Sequence, residues 1–199
     1  MTTKTLNISE EQLVDYSKAH NEPSWMTELR KKALKLTETL EMPKPDKTKL
    51  RKWDFDTFKQ HHTTGDSYHQ LTDLPKSVKE IIDVENSENL IIQHNNDLAY
   101  TQVSDQAKND GVIIEGLSEA LVNHSDLVQK YFMTKAVNVD EHRLTALHTA
   151  LVNGGIFVYV PKNTVVEHPI QYVVLHDDEQ ASLYNHVIIV TEESAEVTY

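Results

Sequence analysis

The feature that most constrains this chain is a change of character at Gly154-Gly155. Beyond it, short β-branched and aromatic runs follow one another with turns between them and no helical periodicity. Ile156–Val160, Thr164–Val166, Ile170–Leu175, Leu183–Val190 and Glu196–Tyr199 read as strands. Pro161-Lys162-Asn163, Glu167-His168-Pro169, His176-Asp177-Asp178 and Glu192-Glu193-Ser194 read as the turns between them. Strands at that rhythm predict a sandwich, a barrel or a solenoid, and no strict internal repeat is visible in the residues. The fold class expected is therefore an α+β portion, residues 1–154, followed by the first strands of an all-β domain, residues 155–199. Four or five short strands are marginal as a β domain, so a piece of a longer protein is expected. The open sheet end is expected to pair with a second copy, giving a homodimer.

Before the change, helices dominate. Ser9 and Gln12 have the spacing of a capping box, with Glu10 and Glu11 suited to the positive end of a helix dipole, which predicts a helix over 9–20. Asn21-Glu22-Pro23 breaks it. In the next helix, 24–40, Trp25, Met26, Leu29, Ala33, Leu36 and Leu40 fall on one stripe about 100° wide. Glu28 is placed to pair with Lys32, and Pro43 and Pro45 end the helix. That stripe packs on its own domain or, alternatively, binds a partner helix-face first through Trp25, Leu29 and Leu36. Residues 43–74 look irregular: Trp53, Phe55 and Phe58 suggest a short strand or extended arm, and His61 to Asp66 a turn. Pro75 starts a short helix with Val78, Ile81 and Ile82 on one side. Leu90–Ile92 and Leu98–Tyr100 flank Asn95-Asn96-Asp97, a hairpin signal. Val112–Ile114 predicts a strand, and 117–123 and 125–132 two short helices. Asp140 is expected to cap a helix over 141–153 carrying Leu144, Leu147 and Leu151, with Gly154 as its left-handed end.

Composition narrows the chemistry. Cysteine is absent, which excludes disulfides, thiolate catalysis and Cys-held clusters within these 199 residues. Nineteen Lys and Arg against 31 Asp and Glu give a net charge of -12, unsuited to nucleic acid or anionic membrane surfaces. Residues 44–59 are a local exception, with six basic residues against three acidic ones. No apolar run reaches the ~20 residues of a membrane span, and the N-terminus lacks the apolar core of a signal peptide, so a cytoplasmic location is expected. Glycine-rich phosphate loops, GxSxG and HExxH are absent. Among eleven histidines, only His168, His176 and His186 suggest a grouping. On neighbouring strands of a barrel they could converge on a metal with Glu167, in the manner of a cupin-type metal-dependent enzyme. No HxH pair supports this, and scattered turn residues explain them better. His148, flanking the stripe of its helix, reads as a core-edge residue.

The segment Leu144 to Gln171, LTALHTALVNGGIFVYVPKNTVVEHPIQ, resembles the SufB/SufD family, the scaffold subunits of the SUF iron–sulfur cluster assembly system. EPSWM at 22–26 leading into LRKKAL, KTKLRKWDF, and HSDLV at 124–128 with Tyr131-Phe132 resemble other parts of the family, on its SufD side rather than its SufB side. The resemblance implies that the strands after Gly155 open a right-handed parallel β-helix. It also implies a non-catalytic role in a SufBCD complex, with SufB and the ATPase SufC as partners. The cluster is then handled by the full complex, with no cofactor in this chain. It transfers no functional residue onto a position here: catalytic none, cofactor-binding none, metal none beyond the three histidines. No helix is expected after Gly155, and hence no binding of the ATPase by this segment alone. A SufB-type paralogue is the nearest alternative.

Overall fold

A computed structural model describes residues 6–57 and 59–199. Ser9 caps helix α1 (Glu10–Ala19): its hydroxyl accepts from the Gln12 amide at 3.2 Å while the Gln12 side chain takes the Ser9 N–H at 2.8 Å. Helix α2 (Ser24–Thr39) follows Pro23 and lies across α1 and a later helix. It buries Met26, Arg30, Ala33 and Thr37, so the stripe is rotated from the one expected and carries an arginine at its centre. Glu28 pairs with Lys31 at 2.9 Å instead of Lys32. The stretch after Pro43 holds single 3-10 turns at Leu50–Lys52 and Leu71–Asp73, with Trp53 extended after the first. There is no strand at Trp53–Phe55, and the Phe58 part of that expectation lies outside the described residues.

Helix α3 (Lys76–Lys79) buries Val78, while Ile81, expected beside it, is 68% exposed. Strands β1 (Asn89–His94) and β2 (Asp97–Gln102) form the expected antiparallel hairpin, with Asn95 at φ 53 in the turn. Helix α4 (Asp105–Asn109), capped by Ser104, gave no periodic signal because it is a single turn and a half. Strand β3 (Ile113–Gly116) and helices α5 (Leu117–Asn123) and α6 (Ser125–Tyr131) match expectation, with His124 at the break. Helix α7 (Arg143–Leu151) starts later than expected. Its cap is His142, whose Nδ1 accepts the Thr145 amide at 3.1 Å, and not Asp140. Gly154 does not end it; both Gly154 and Gly155 belong to strand β4 (Gly154–Val160).

Strands β5 (Ile170–Leu175) and β6 (Asn185–Thr191) complete two small mixed sheets, ordered β2-β1-β5 and β3-β4-β6. Each combines an antiparallel and a parallel pair: β1 runs parallel to β5 and β4 parallel to β6. Both sheets thus draw strands from either side of Gly155. The expected strands at Thr164–Val166 and Glu196–Tyr199 reduce to one parallel bridge, Val165 to Glu196. That bridge and the β4–β6 pairing share one offset of 31 residues (165 to 196, 154 to 185), a spacing carried by no repeated residues. Among the described residues no closed barrel forms, so the barrel expectation is corrected. The core divides into apolar clusters around Phe132 and Phe157, around Ile156 and Val158, around Leu13 and Leu147, and around Leu90 and Ile92.

Candidate functional site

Arg30 is the largest fully buried side chain, and a chain of polar contacts spreads from it. Its Nε and Nη2 donate to the two Glu22 carboxylate oxygens at 2.8 and 2.6 Å, and Nη1 donates to the Ala150 carbonyl at 2.9 Å. Both partners of the ion pair are nearly inaccessible, at 2% and 3%. Burial alone would raise the Glu22 pKa, but the Arg30 charge and hydrogen bonds from Arg30 and Ser17 hold it below its ordinary value. The Tyr16 ring covers the guanidinium at 5.0 Å, and His20 stacks on Tyr16 at 4.1 Å. His61 meets the Tyr16 edge at 4.6 Å and His62 meets His20 at 4.8 Å. Burial raises the Tyr16 hydroxyl pKa and lowers His61 to about 4. The His61 Nε2 lies 2.9 Å from the Leu151 carbonyl, which can only accept, so that nitrogen carries the hydrogen.

Residues 60–68 form a strap over the hairpin, extended where a turn was expected from HHTTGD. The reason is that successive groups along it find partners on the hairpin. His62 Nε2 pairs with Asp97 at 2.9 Å, the Thr63 N–H donates to Asn96 Oδ1 at 2.9 Å, and the Asp66 N–H donates to His94 Nδ1 at 2.8 Å. Because His94 Nδ1 accepts there, its Nε2 carries the hydrogen and donates to Asp177 at 2.9 Å. Gly65 is required: a Cβ there would stand 2.0 Å from the His94 carbonyl oxygen. Asn153, at the α7–β4 corner, donates to the His61 and Ser182 carbonyls and accepts the Tyr184 N–H at 2.8 Å. Gln93, in β1, accepts the Gly155 N–H at 2.9 Å and the Tyr172 hydroxyl. Between α1 and the strap lies an open groove of about 470 Å³, lined by Tyr16, His20, Lys59, His61 and His62 among others.

The three histidines singled out in the sequence do not come together. His168 sits in the turn before β5, where its carbonyl accepts from Asn89 at 2.9 Å. His176 is exposed just beyond β5. His186, on β6, meets His148 of α7 instead, Nδ1 to Nε2 at 2.7 Å, beside Phe132 at 4.8 Å. One hydrogen lies between those two nitrogens. Burial, then the neighbouring His186, lowers His148 to about 4, and burial lowers His186 as well. Among the described residues no three His, Asp or Glu side chains are grouped to hold a metal ion. The cupin-type arrangement is therefore corrected: it needs a barrel and convergent histidines, and the described residues form neither.

These contacts join elements. Neither a nucleophile with its base nor an oxyanion pocket is among them. The Glu22–Arg30 pair has no helical spacing to reveal it, because Glu22 lies in the break before α2 and Arg30 within that helix. Sequence reading missed the strap because its partners lie about 30 residues onward; the clustering of Asn at 95–96 and the lone Asn153 before two glycines were the available signals.

The family model described as the SufBD protein N-terminal region matches residues 9–172. The iron-sulfur cluster assembly protein SufD of Bacillus subtilis is 47% identical over 98% of this chain and 45% of its own length. An iron-sulfur cluster assembly SufBD family protein of Pyrococcus horikoshii is 29% identical over 96% of this chain and 44% of its own. One from Mycobacterium bovis is 28% identical over 96% of this chain and 24% of its own. The chain thus spans less than half the length of these relatives. No helix among the described residues is long and apolar enough to cross a membrane. With the match covering most of its length, this chain belongs to the SufB/SufD family, to which it contributes the N-terminal region in its SufD-like form.

Proposed function

We propose that the chain serves iron–sulfur cluster assembly as a non-catalytic scaffold, in the cytoplasm, within a complex containing SufB and SufC. The observation that carries this is the 47% identity to a protein named for that process. The geometry is in keeping with the scaffold reading: the polar side chains of the site tie segments together. It also supports the finer reading of residues 155–199 as the first strands of a right-handed parallel β-helix. Parallel pairs at a common 31-residue offset are how successive coils of a solenoid stack, and parallel crossovers are right-handed in nearly all sheets. On this view the earlier segments β3, β1 and Gln60, which pair with β4, β5 and Ala181, close the first coil from one side. The domain division at 154/155 is then a handover from capping segments to the coils they cap.

The iron–sulfur cluster is cargo here. Depleting the protein in its host tests the reading. The expected result is a several-fold fall in the specific activity of iron–sulfur enzymes, with their polypeptide levels and metal-free enzymes unchanged. Unaltered cluster loading would refute it.

A further inference from the structure

Residues 44–59 depart from the rest of the chain in charge, and the structure gives that departure a form. Phe55 is half-buried against the cluster around Leu13 and Leu147. Trp53 stacks on it with ring centroids 6.0 Å apart and planes 16° from parallel, yet is 64% exposed. The loop beneath is anchored. Asp56 pairs with Arg143 of α7 at 2.6 Å, and Arg143 also donates to the Thr37 carbonyl at 2.8 Å. The Asp54 carboxylate accepts the Asp56 N–H at 3.0 Å and the Thr57 hydroxyl at 2.9 Å, closing a turn directly after the tryptophan. The indole is thus held in place with its outer face free. Among the described residues, Phe55 is the aromatic partner it stacks on, and most of its surface stays exposed.

The lysines of the same segment divide into engaged and exposed ones. Lys44 is engaged by Glu41 at 2.7 Å, and Lys59 donates to the Glu179 carbonyl at 3.3 Å. Lys47, Lys49 and Lys52 are exposed, and among the described residues none of them has an ion-pair partner. Two of the three aspartates of the segment, Asp54 and Asp56, are already spent on the loop and on Arg143. Arg143 offsets Asp56 as Glu41 offsets Lys44, so the segment keeps the excess of positive charge that its sequence gives it. An exposed, anchored aromatic ring in a stretch with three exposed lysines has the make-up of a protein–protein hot spot, an apolar anchor accompanied by charge.

We infer that residues 47–55 form a docking arm for a short acidic segment of a partner protein, with an apolar side chain of that segment laid on Trp53. Charge complementarity selects this occupant. Three free lysines attract a few carboxylates at close range. A long polyanion such as RNA must also approach the remaining surface of a chain whose net charge is -12, and is repelled by it. The inference is independent of the role in cluster assembly, since it uses only the loop.

The test is calorimetry on the 199-residue chain at 50 mM and 500 mM salt. The probe is a blocked dodecapeptide of Asp and Glu with one central Leu. A lysine-for-acid counterpart and a twelve-nucleotide oligouridylate are the controls. The expected result is saturable one-to-one binding of the acidic peptide at low salt. W53A and the double variant K49E/K52E each weaken it at least tenfold with unchanged circular dichroism, and 500 mM salt weakens it several-fold. W25F, which alters the other tryptophan, leaves the affinity within twofold; if that variant does not fold, W53A and K49E/K52E still decide. Absence of binding, equal affinity in W53A, or tighter binding of oligouridylate would each overturn the inference. So would self-association, seen by sedimentation, that K49E/K52E abolishes, because the occupant would then be a second copy.

Discussion

Arg30 shows how one side chain can fix several elements. Its three donors point in fixed directions toward Glu22, in the break between α1 and α2, and toward Ala150 in α7. A lysine presents one compact charge and cannot reach all three acceptors. Removing one partner of a buried pair leaves the other charge uncompensated, at a cost of about 3–5 kcal/mol. R30M is therefore expected to lower unfolding free energy by that order, and R30K by about half of it. Urea denaturation checks both, and a loss under 1 kcal/mol for R30M would contradict the assignment. Gly155 is the second such position. Its φ is 129, and a Cβ would lie 1.9 Å from the His186 carbonyl oxygen, so β4 and β6 approach there only because the side chain is missing. Gly111 also has a positive φ, 73, but its nearest neighbour would be 3.8 Å away. G111A should cost about 1 kcal/mol, the strain of a left-handed alanine alone. G155A should cost at least twice as much or leave the protein unfolded, and equal costs for the two would refute the close-approach argument.

At the scale of elements, the strap is the part whose stability is set by side chains more than by sheet ladders. Asn153 holds three backbone groups from two segments: the carbonyls of His61 and Ser182 and the amide of Tyr184. N153A is expected to speed hydrogen exchange at Tyr184 and Ser182, whose amide bonds to the Gln60 carbonyl, with α1 and α5 unaffected. Exchange unchanged in 182–184 would show that the corner does not depend on this residue. The same residues explain what could be read from the sequence. Ser9 and Gln12 act within one turn, and Asn95–Asp97 makes a hairpin locally, so both were visible. Helix α7 was mis-started because His142 takes the cap, a role for which Asp140 is the commoner residue type. The stripe of α2 differs from the expected one because hydrophobicity ranks Arg30 and Thr37 as surface residues, while Arg30 is buried by pairing with Glu22 in the break before the helix. Strand identity at 170–175 followed from β-branched content. Its pairing with β1, some 80 residues earlier, had no local trace. Of the His148–His186 pair, His148 is legible as a core-edge residue and His186 as one of three candidate histidines; their contact is not, because it joins α7 to a strand 38 residues onward.

For the molecule as a whole, two effects of acid oppose each other. Lowering the pH toward the sequence pI of about 5.3 removes net negative charge and with it some self-repulsion. The buried histidines act the other way. His61 and His148 each have a folded-state pKa of about 4, held down chiefly by burial, against 6.5 for the free side chain. The folded state therefore prefers the neutral ring. Its stability is fully present above pH 6.5 and is lost as the pH falls from 6.5 toward 4. At pH 5 the linkage amounts to about 2 kcal/mol for each ring. Glu22, with a lowered pKa, adds to the loss at still lower pH, since its ionised form is the one the fold favours. Surface repulsion is screened at moderate ionic strength, where interactions fade beyond about 8 Å, and the buried groups are not. The histidines should win. Unfolding free energy in 0.15 M salt is expected to drop by about 3–4 kcal/mol between pH 7 and pH 5, and H148Q, whose amide can still donate to His186, should remove close to half of that drop while changing stability at pH 7 less. Chemical denaturation at the two pH values decides the matter: a protein as stable at pH 5 as at pH 7, or a pH dependence that H148Q leaves untouched, would mean that the His148–His186 contact does not hold its proton as described.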